Sequence, residues 1–191
     1  MKNLLNPTLM IQRTLYYPTC PDSVPDPTCS DCPTKELGDV RAVFFLKESS
    51  PFTDITDQSE WETKINAGDL VVFPYCRGTV EVTPLESNGF GDQITTTDGY
   101  DYVMNGEEPQ YQNNWSFWNA IKKSQIYKAG YKTETQVHLS DNTARIIPMN
   151  PVGDDKKGQV NWKFQCKWSQ EDLVRPYDEP NSIFDQCLNV S

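Results

Sequence analysis

Histidine is almost missing: His138 is the only one in 191 residues. An imidazole base beside a nucleophile, or a metal held by several imidazoles, therefore has a single residue to draw on. His138 lies between Val137 and Leu139 in a strand-like run, where alternation turns it to the opposite face from both neighbours. A structural role is the simpler reading. No Ser or Cys stands in a nucleophile elbow of the G-x-S-x-G kind. The acidic doublets Glu107-Glu108 and Asp154-Asp155 would point to opposite faces of a strand, so neither offers two carboxylates to one substrate. Asp154-Asp155 also lacks the spaced oxygen ligands of a calcium loop. No enzymatic activity is expected.

Positive charge is scarce as well. Seventeen basic residues face 27 acidic ones, for a formal charge of -10. An ordinary nucleic-acid-binding surface would be basic, so the charge argues against that class, but not against a surface past which DNA slides without sticking. Long apolar runs are absent, and with them any membrane-spanning helix. Leu4-Leu5-Asn6-Pro7 interrupts a signal-like apolar core almost at once, so no secretory leader is expected. Gly89-Phe90-Gly91 has the spacing of part of a phosphate loop but neither the Lys-Ser/Thr nor the following helix.

What the chain does have is aromatic mass, 12% of residues, together with 14 prolines and a mean hydropathy of -0.65. The core is therefore built from large pieces and surrounded by much loop. Its most legible stretch covers residues 160–168. Val160, Trp162, Phe164, Cys166 and Trp168 alternate with Asn161, Lys163, Gln165 and Lys167. At a period of two, one face is wholly apolar and the other wholly polar, and a one-residue slip would put both tryptophans in water. This is a strand of fixed register.

Around it the chain falls into three parts. Residues 1–38 are rich in Pro, Cys and Asp, a composition that suppresses helix and central strand, and read as an extended N-terminal arm. Residues 39–174 read as the domain. Residues 40–47 form a continuous apolar run suited to a strand buried on both sides. Asp57 followed by Glu60 caps a short helix carrying Trp61 and Ile65, which ends at Gly68. Residues 70–75 and 79–83 read as a hairpin, 85–98 as a loop and 100–104 as a strand. Asn114 caps a helix over 115–123 in which Trp115, Trp118 and Ile121 share a core-facing stripe. Residues 124–131, 133–139 and 144–147 read as strands, with Asp141-Asn142 as a tight turn. Residues 175–191 mirror the first arm in composition and read as a C-terminal arm. The expected fold is mainly β, an antiparallel β-sandwich or barrel with a flanking helix.

Six cysteines are present. Cys166, on an apolar strand face, and Cys76 read as small buried hydrophobes. Cys29 and Cys32 form a C-x-x-C, with Cys20 upstream and Cys187 near the far end, so zinc held by Cys20, Cys29, Cys32 and Cys187 is one reading. A disulfide or free thiols are the others. Apart from that zinc, no cofactor is expected.

The order of landmarks resembles a known group of proteins. It runs from the Cys-rich arm through Glu36-Leu-Gly-Asp-Val-Arg41, the Trp61 helix, Gly89-Phe-Gly-Asp-Gln93, Asn113-Asn-Trp-Ser-Phe117 and Thr133-Glu-Thr-Gln-Val-His138. It ends with Ile147-Pro148, Trp162 to Trp168 and Pro176-Tyr-Asp-Glu-Pro180. This resembles virion structural proteins of crAss-like phages and other phages of Bacteroidetes, and more loosely tail-tube and tail-ring proteins. The resemblance implies a hexameric or dodecameric ring in a phage tail or connector, contacting other virion proteins and passing DNA without sequence-specific binding or membrane contact. It implies sheets paired around the ring, and inter-subunit contacts at Gly89, Phe90, Gly91, Pro176 and Tyr177. The alternative from a different class is a carbohydrate- or surface-binding β-sandwich, which would display exposed aromatics beside a sheet.

Overall fold

The alternating stretch becomes an interior strand of a four-stranded sheet. The computed structural model describes residues 38–87, 95–152, 160–180 and 183–184, within a unit bounded by Lys35 and Ser191. Cys20, Cys29, Cys32, Cys187, Gly89, Phe90 and Gly91, with residues 1–37 of the N-terminal arm, lie outside the described residues. In chain order the elements are β1 (Ala42–Lys47), α1 (Gln58–Asn66), β2 (Leu70–Phe73), β3 (Arg77–Ser87), β4 (Thr96–Glu108), α2 (Trp115–Ile121), β5 (Tyr127–Lys132), β6 (Gln136–Thr143), β7 (Arg145–Met149), β8 (Trp162–Gln170) and β9 (Pro176–Asp178).

All strand pairs are antiparallel and form two sheets. Sheet 1 has the order β2-β1-β5-β6-β9 and sheet 2 the order β3-β4-β8-β7. The fold is therefore mainly β with two helices and sandwich-like packing. The barrel half of the expectation falls away, because each sheet ends in two unjoined edges. Pro84, Pro148 and Pro176 all sit in edge strands, where a missing N–H need not break a ladder.

Strand β1 accounts for both apolar layers. Val43 and Phe45 face the inter-sheet core, with Met104, Trp118, Phe164, Cys166 and Trp168. Ala42, Phe44 and Leu46 face the other way, under Trp61 and Ile65 of α1 and the buried pair Ile183 and Phe184. A continuous apolar run is what a strand covered on both faces requires. Helix α1 forms where Asp57 caps it by accepting from Ser59 N at 3.0 Å. It ends at Gly68, whose φ of 70° is a left-handed conformation that only glycine adopts freely.

Helix α2 closes one side of the inter-sheet space. The Trp118 ring stacks on Phe164 at 5.0 Å and on Phe73 at 5.2 Å, so it touches both sheets. Its anchor is the buried carboxylate of Glu108, which accepts from Gln110 N at 2.8 Å, Asn114 Nδ2 at 3.1 Å and Trp118 Nε1 at 3.4 Å. Asn114 is the residue before the helix, as expected, but its side chain serves Glu108 rather than the helix backbone.

Five expectations are corrected. Trp115 is 59% exposed and not core, whereas Trp118 and Ile121 are buried. Residues three apart drift by about 60° around a helix, so the stripe through 115, 118 and 121 cannot stay on one narrow face. Val160 is half-buried and precedes the strand, which starts at Trp162. Residues 70–75 and 79–83 do not form a hairpin: β2 belongs to sheet 1 and β3 to sheet 2. The chain changes sheets across Pro74–Cys76, where Cys76 N donates to Arg41 O at 3.2 Å and Val40 N to Gly78 O at 3.3 Å. Asp141 and Asn142 are strand residues of β6, and the change of sheet falls at Ala144, whose N–H donates to Tyr127 O at 2.8 Å. Finally, the domain does not stop at residue 174, since Pro176–Asp178 adds a strand to sheet 1 and Ile183 and Phe184 are buried.

Candidate functional site

The outer face of sheet 2 is a grid set by register. Arg77, Glu107, Lys163 and Met149 form one row across the four strands, Thr79, Asn105, Gln165 and Ile147 the next, and Glu81, Val103, Lys167 and Arg145 the third. Three cross-strand pairs on this face are joined by hydrogen bonds or an ion pair. Lys163 Nζ lies 2.9 Å from Glu107 Oε1, Gln165 Nε2 donates to Asn105 Oδ1 at 2.9 Å, and Ser169 Oγ donates to Asp101 Oδ1. The hydrogen bond from Lys163 holds the Glu107 carboxyl below the usual carboxylate range, helped by the lysine charge and by Asn161. The third row differs. Arg145 and Lys167 sit directly opposite, a like-charge pair, and neither forms an ion pair among the described residues.

The left edge of that grid is β3, eleven residues long and bonded along its length to β4 alone. On its other side the described residues place one isolated bridge, Val40 to Gly78. Beyond that bridge the backbone N–H and C=O groups of the free side have no strand beside them among the described residues. β8 ends at Gln170, opposite Tyr100, which itself faces Pro84. Past that point β3 and β4 continue as a two-stranded ribbon. Leu85, in that ribbon, is 41% exposed, and Val82, still opposite Tyr102 and flanked by β8, is 46% exposed although Val80 on the same face packs on the core. At the opposite edge, β7 presents exposed Arg145 and Met149.

Among the described residues reactive groups are scattered. Among the described residues no three His, Cys, Asp or Glu side chains are grouped to hold a metal. Burial pushes the Cys76 and Cys166 thiols well above their ordinary range, which keeps both as packing groups. Burial, with the nearby Tyr102, likewise pushes the Tyr131 phenol up to about 12. That residue stacks on His138 with ring centroids 4.6 Å apart. A cleft of about 540 Å³ near Arg41, Tyr75, Arg77 and Glu107 is polar, and its Arg41 is drawn toward Asp39 at 3.6 Å and Glu134 at 3.7 Å.

Of the residues singled out from sequence, Trp118, Ile121, Trp162, Phe164, Cys166 and Trp168 are brought together in the inter-sheet core. Pro176 and Tyr177 are brought to the edge of sheet 1, against His138 and Val137. The polar residues Lys163 and Lys167 face outward, and Gln165 is half-buried on the same face. The free β3 edge was missed because Pro84 truncated the expected strand. The alternation Thr79-Val80-Glu81-Val82-Thr83 and its continuation to Ser87 carried the signal. No family model matches the chain, and no curated protein or solved structure matches it either.

Proposed function

We propose that this chain is a structural subunit of a phage virion, assembling side by side into a ring of the tail tube or head-tail connector through which DNA passes. The observation that carries the assembly is the β3 edge with its exposed ribbon, which, like the other edge β7, has no further strand beside it among the described residues. An exposed edge of this length invites pairing, and a closed ring removes it by giving every edge a neighbour. The charge order along the third row favours a head-to-tail neighbour. Glu81 stands at one end and Arg145 at the other, so continuing the row in register sets Arg145 beside Glu81 of the next copy. Such a neighbour also relieves the Arg145 and Lys167 repulsion.

The resemblance in landmark order supports placing this ring in a virion tail, next to other tail or connector proteins. A formal charge of -10 suits a wall past which phosphates must slide without binding. The carbohydrate-binding reading is less well supported, because four of the five tryptophans are buried and only Trp115 is exposed. Size-exclusion chromatography with light scattering tests the assembly. A hexamer or dodecamer of the 21.8 kDa chain is expected. Glu81→Lys and Arg145→Glu should each weaken it, and the two substitutions together should restore it. A monomer at every concentration, indifferent to both changes, would count against the ring.

A further inference from the structure

Positive charge is scarce in this chain, so the place where it collects without acidic partners is informative. The formal charge is -10, yet cations gather beside β7, at one edge of sheet 2. A cleft of about 470 Å³ opens there between residues 145–148 of β7 and the turn that follows α2. Lys122, Ser124 and Gln125 line it from the turn and Arg145 from the strand, and no acidic side chain is among the described residues that line it. Lys167 stands directly opposite Arg145 across the β7 and β8 ladder, where facing Cβ atoms are about 4.5–5.5 Å apart. It adds a third positive charge behind the arginine.

The donors around this cleft are unused. Ion pairs among the described residues engage Arg41, Lys47, Lys64, Lys132 and Lys163, and none engages Lys122, Arg145 or Lys167. Nor do the side chains of Lys122, Ser124, Gln125 or Arg145 hydrogen-bond to another group among the described residues. The end of α2 does not call on them, because Ala120 O accepts from Lys123 N at 3.2 Å and Ile121 O from Ser124 N at 2.9 Å. Facing like charges repel, and in so acidic a chain a carboxylate beside them would be the simple remedy. The cleft instead offers an ammonium, a guanidinium, a hydroxyl and an amide, all able to donate, around a space of small-ligand size. That is the donor set of an oxyanion site, with the arginine fork and the lysine point charge each suited to phosphate oxygens.

We propose that the cleft between the α2 turn and β7 binds a dianionic phosphate group. Lys122 and Arg145 hold its oxygens, Ser124 and Gln125 donate to them, and Lys167 supplies positive potential from the next strand. Charge selects phosphate over carboxylate: three cations without an acid are offset better by two negative charges than by one. A terminal phosphate carries about −1.5 to −2 at pH 7, whereas a carboxylate or a backbone phosphodiester carries one. Free phosphate and the terminal phosphate of a nucleotide share this chemistry. The site does not depend on the ring, although both readings engage Arg145.

Isothermal titration calorimetry at constant ionic strength tests it, on the full chain carrying Glu81→Lys, which leaves Arg145 without its proposed neighbour. Inorganic phosphate and a nucleoside monophosphate are the probes, and one saturable site per chain is expected. Equal affinities would mean that the phosphate alone is recognised, and a tighter monophosphate would mean a nucleotide end; both outcomes support the site. Lys122→Gln and Arg145→Gln should each weaken binding by about tenfold, as loss of one charge-assisted hydrogen bond does. Both residues are exposed, so the variants should keep their fold. Lys128→Gln, on sheet 1 and outside the cleft, should leave binding unchanged. Monophosphate binding should strengthen as pH rises through about 6, where the second proton leaves the phosphate. A flat pH profile would overturn the choice of a dianion. Absence of saturable binding, binding indifferent to both substitutions, or a glutamate-rich peptide binding more tightly than either probe would overturn the site itself. Without Glu81→Lys, the Lys122→Gln chain should keep its oligomeric state, so failure of the site and failure of the ring are read separately.

Discussion

Gly130→Ala should cost stability that a strand glycine would normally gain from alanine. Gly130 lies directly opposite Phe44 in the β1 and β5 register, and the phenyl ring folds over it. A Cβ at this position would stand 2.1 Å from Phe44 Cζ, 2.2 Å from Cε2 and 2.7 Å from Cε1. Carbon atoms pack at roughly 3.5–4.0 Å, so the ring would have to retreat by more than an ångström. It has nowhere to go, being fully buried with Trp61 4.8 Å away on one side and Phe184 6.2 Å away on another. Overpacking of this kind costs about 1–3 kcal/mol. Relief of glycine's backbone entropy returns about 0.5–1 kcal/mol. The clash spans three ring atoms, which places the overpacking near its upper end and the net loss at about 2 kcal/mol. For a chain of this size that lowers the melting temperature by about 4–8 °C. Differential scanning calorimetry, run also in a Phe44→Leu background that removes the ring, reads the coupling directly. A Gly130→Ala penalty below about 0.5 kcal/mol, or one equal in both backgrounds, would refute the reasoning.

Trp118→Ala should destabilise by about 3–5 kcal/mol in urea titrations, while Trp115→Ala on the same helix should stay within about 0.5 kcal/mol. Equal losses would mean that α2 is rotated from the orientation described. Glu107, held ionised by Lys163, adds stability that is fully present above the ordinary glutamate range and fades as pH falls through its lowered value. The two side chains are 45% and 51% exposed, so the contribution is at most about 1 kcal/mol, and Glu107→Gln should remove that part of the acid slope. Peptide mapping after brief alkylation of the native protein should leave Cys76 and Cys166 unmodified, with both reacting once the chain is unfolded. Rapid native labelling of either would contradict their burial.

Alternation made β8 legible to within two residues, since five apolar residues at a period of two leave no other economical reading. The two-sided burial of β1 was legible for the related reason that polar residues are absent from 42–46. Which strands pair with which was not. Periodicity fixes the face a residue takes but says nothing about its neighbour, so β2 and β3 looked like a hairpin although the chain crosses between sheets at Pro74–Cys76. β6 and β7 misled in the same way, because the crossing at Ala144 depends on one hydrogen bond to Tyr127 and on a register shift between Lys128 and Gly130. The ion pair of Lys132 with Glu179 spans distant parts of the chain and has no local pattern at all. Gly106 and Gly130 each seat a phenylalanine from the adjacent strand, Phe164 and Phe44, a role that depends on strand pairing and has no local signal.

Cryo-electron microscopy of particles assembled from the full chain, or of virions containing it, tests ring assembly most directly. The account predicts a closed ring in which the free edge of β3 is paired with β7 of the next copy, Arg145 lies beside that neighbour's Glu81, and Val82 and Leu85 are covered. Particles in which β3 remains open to solvent, with copies joined through other surfaces or not at all, would contradict it.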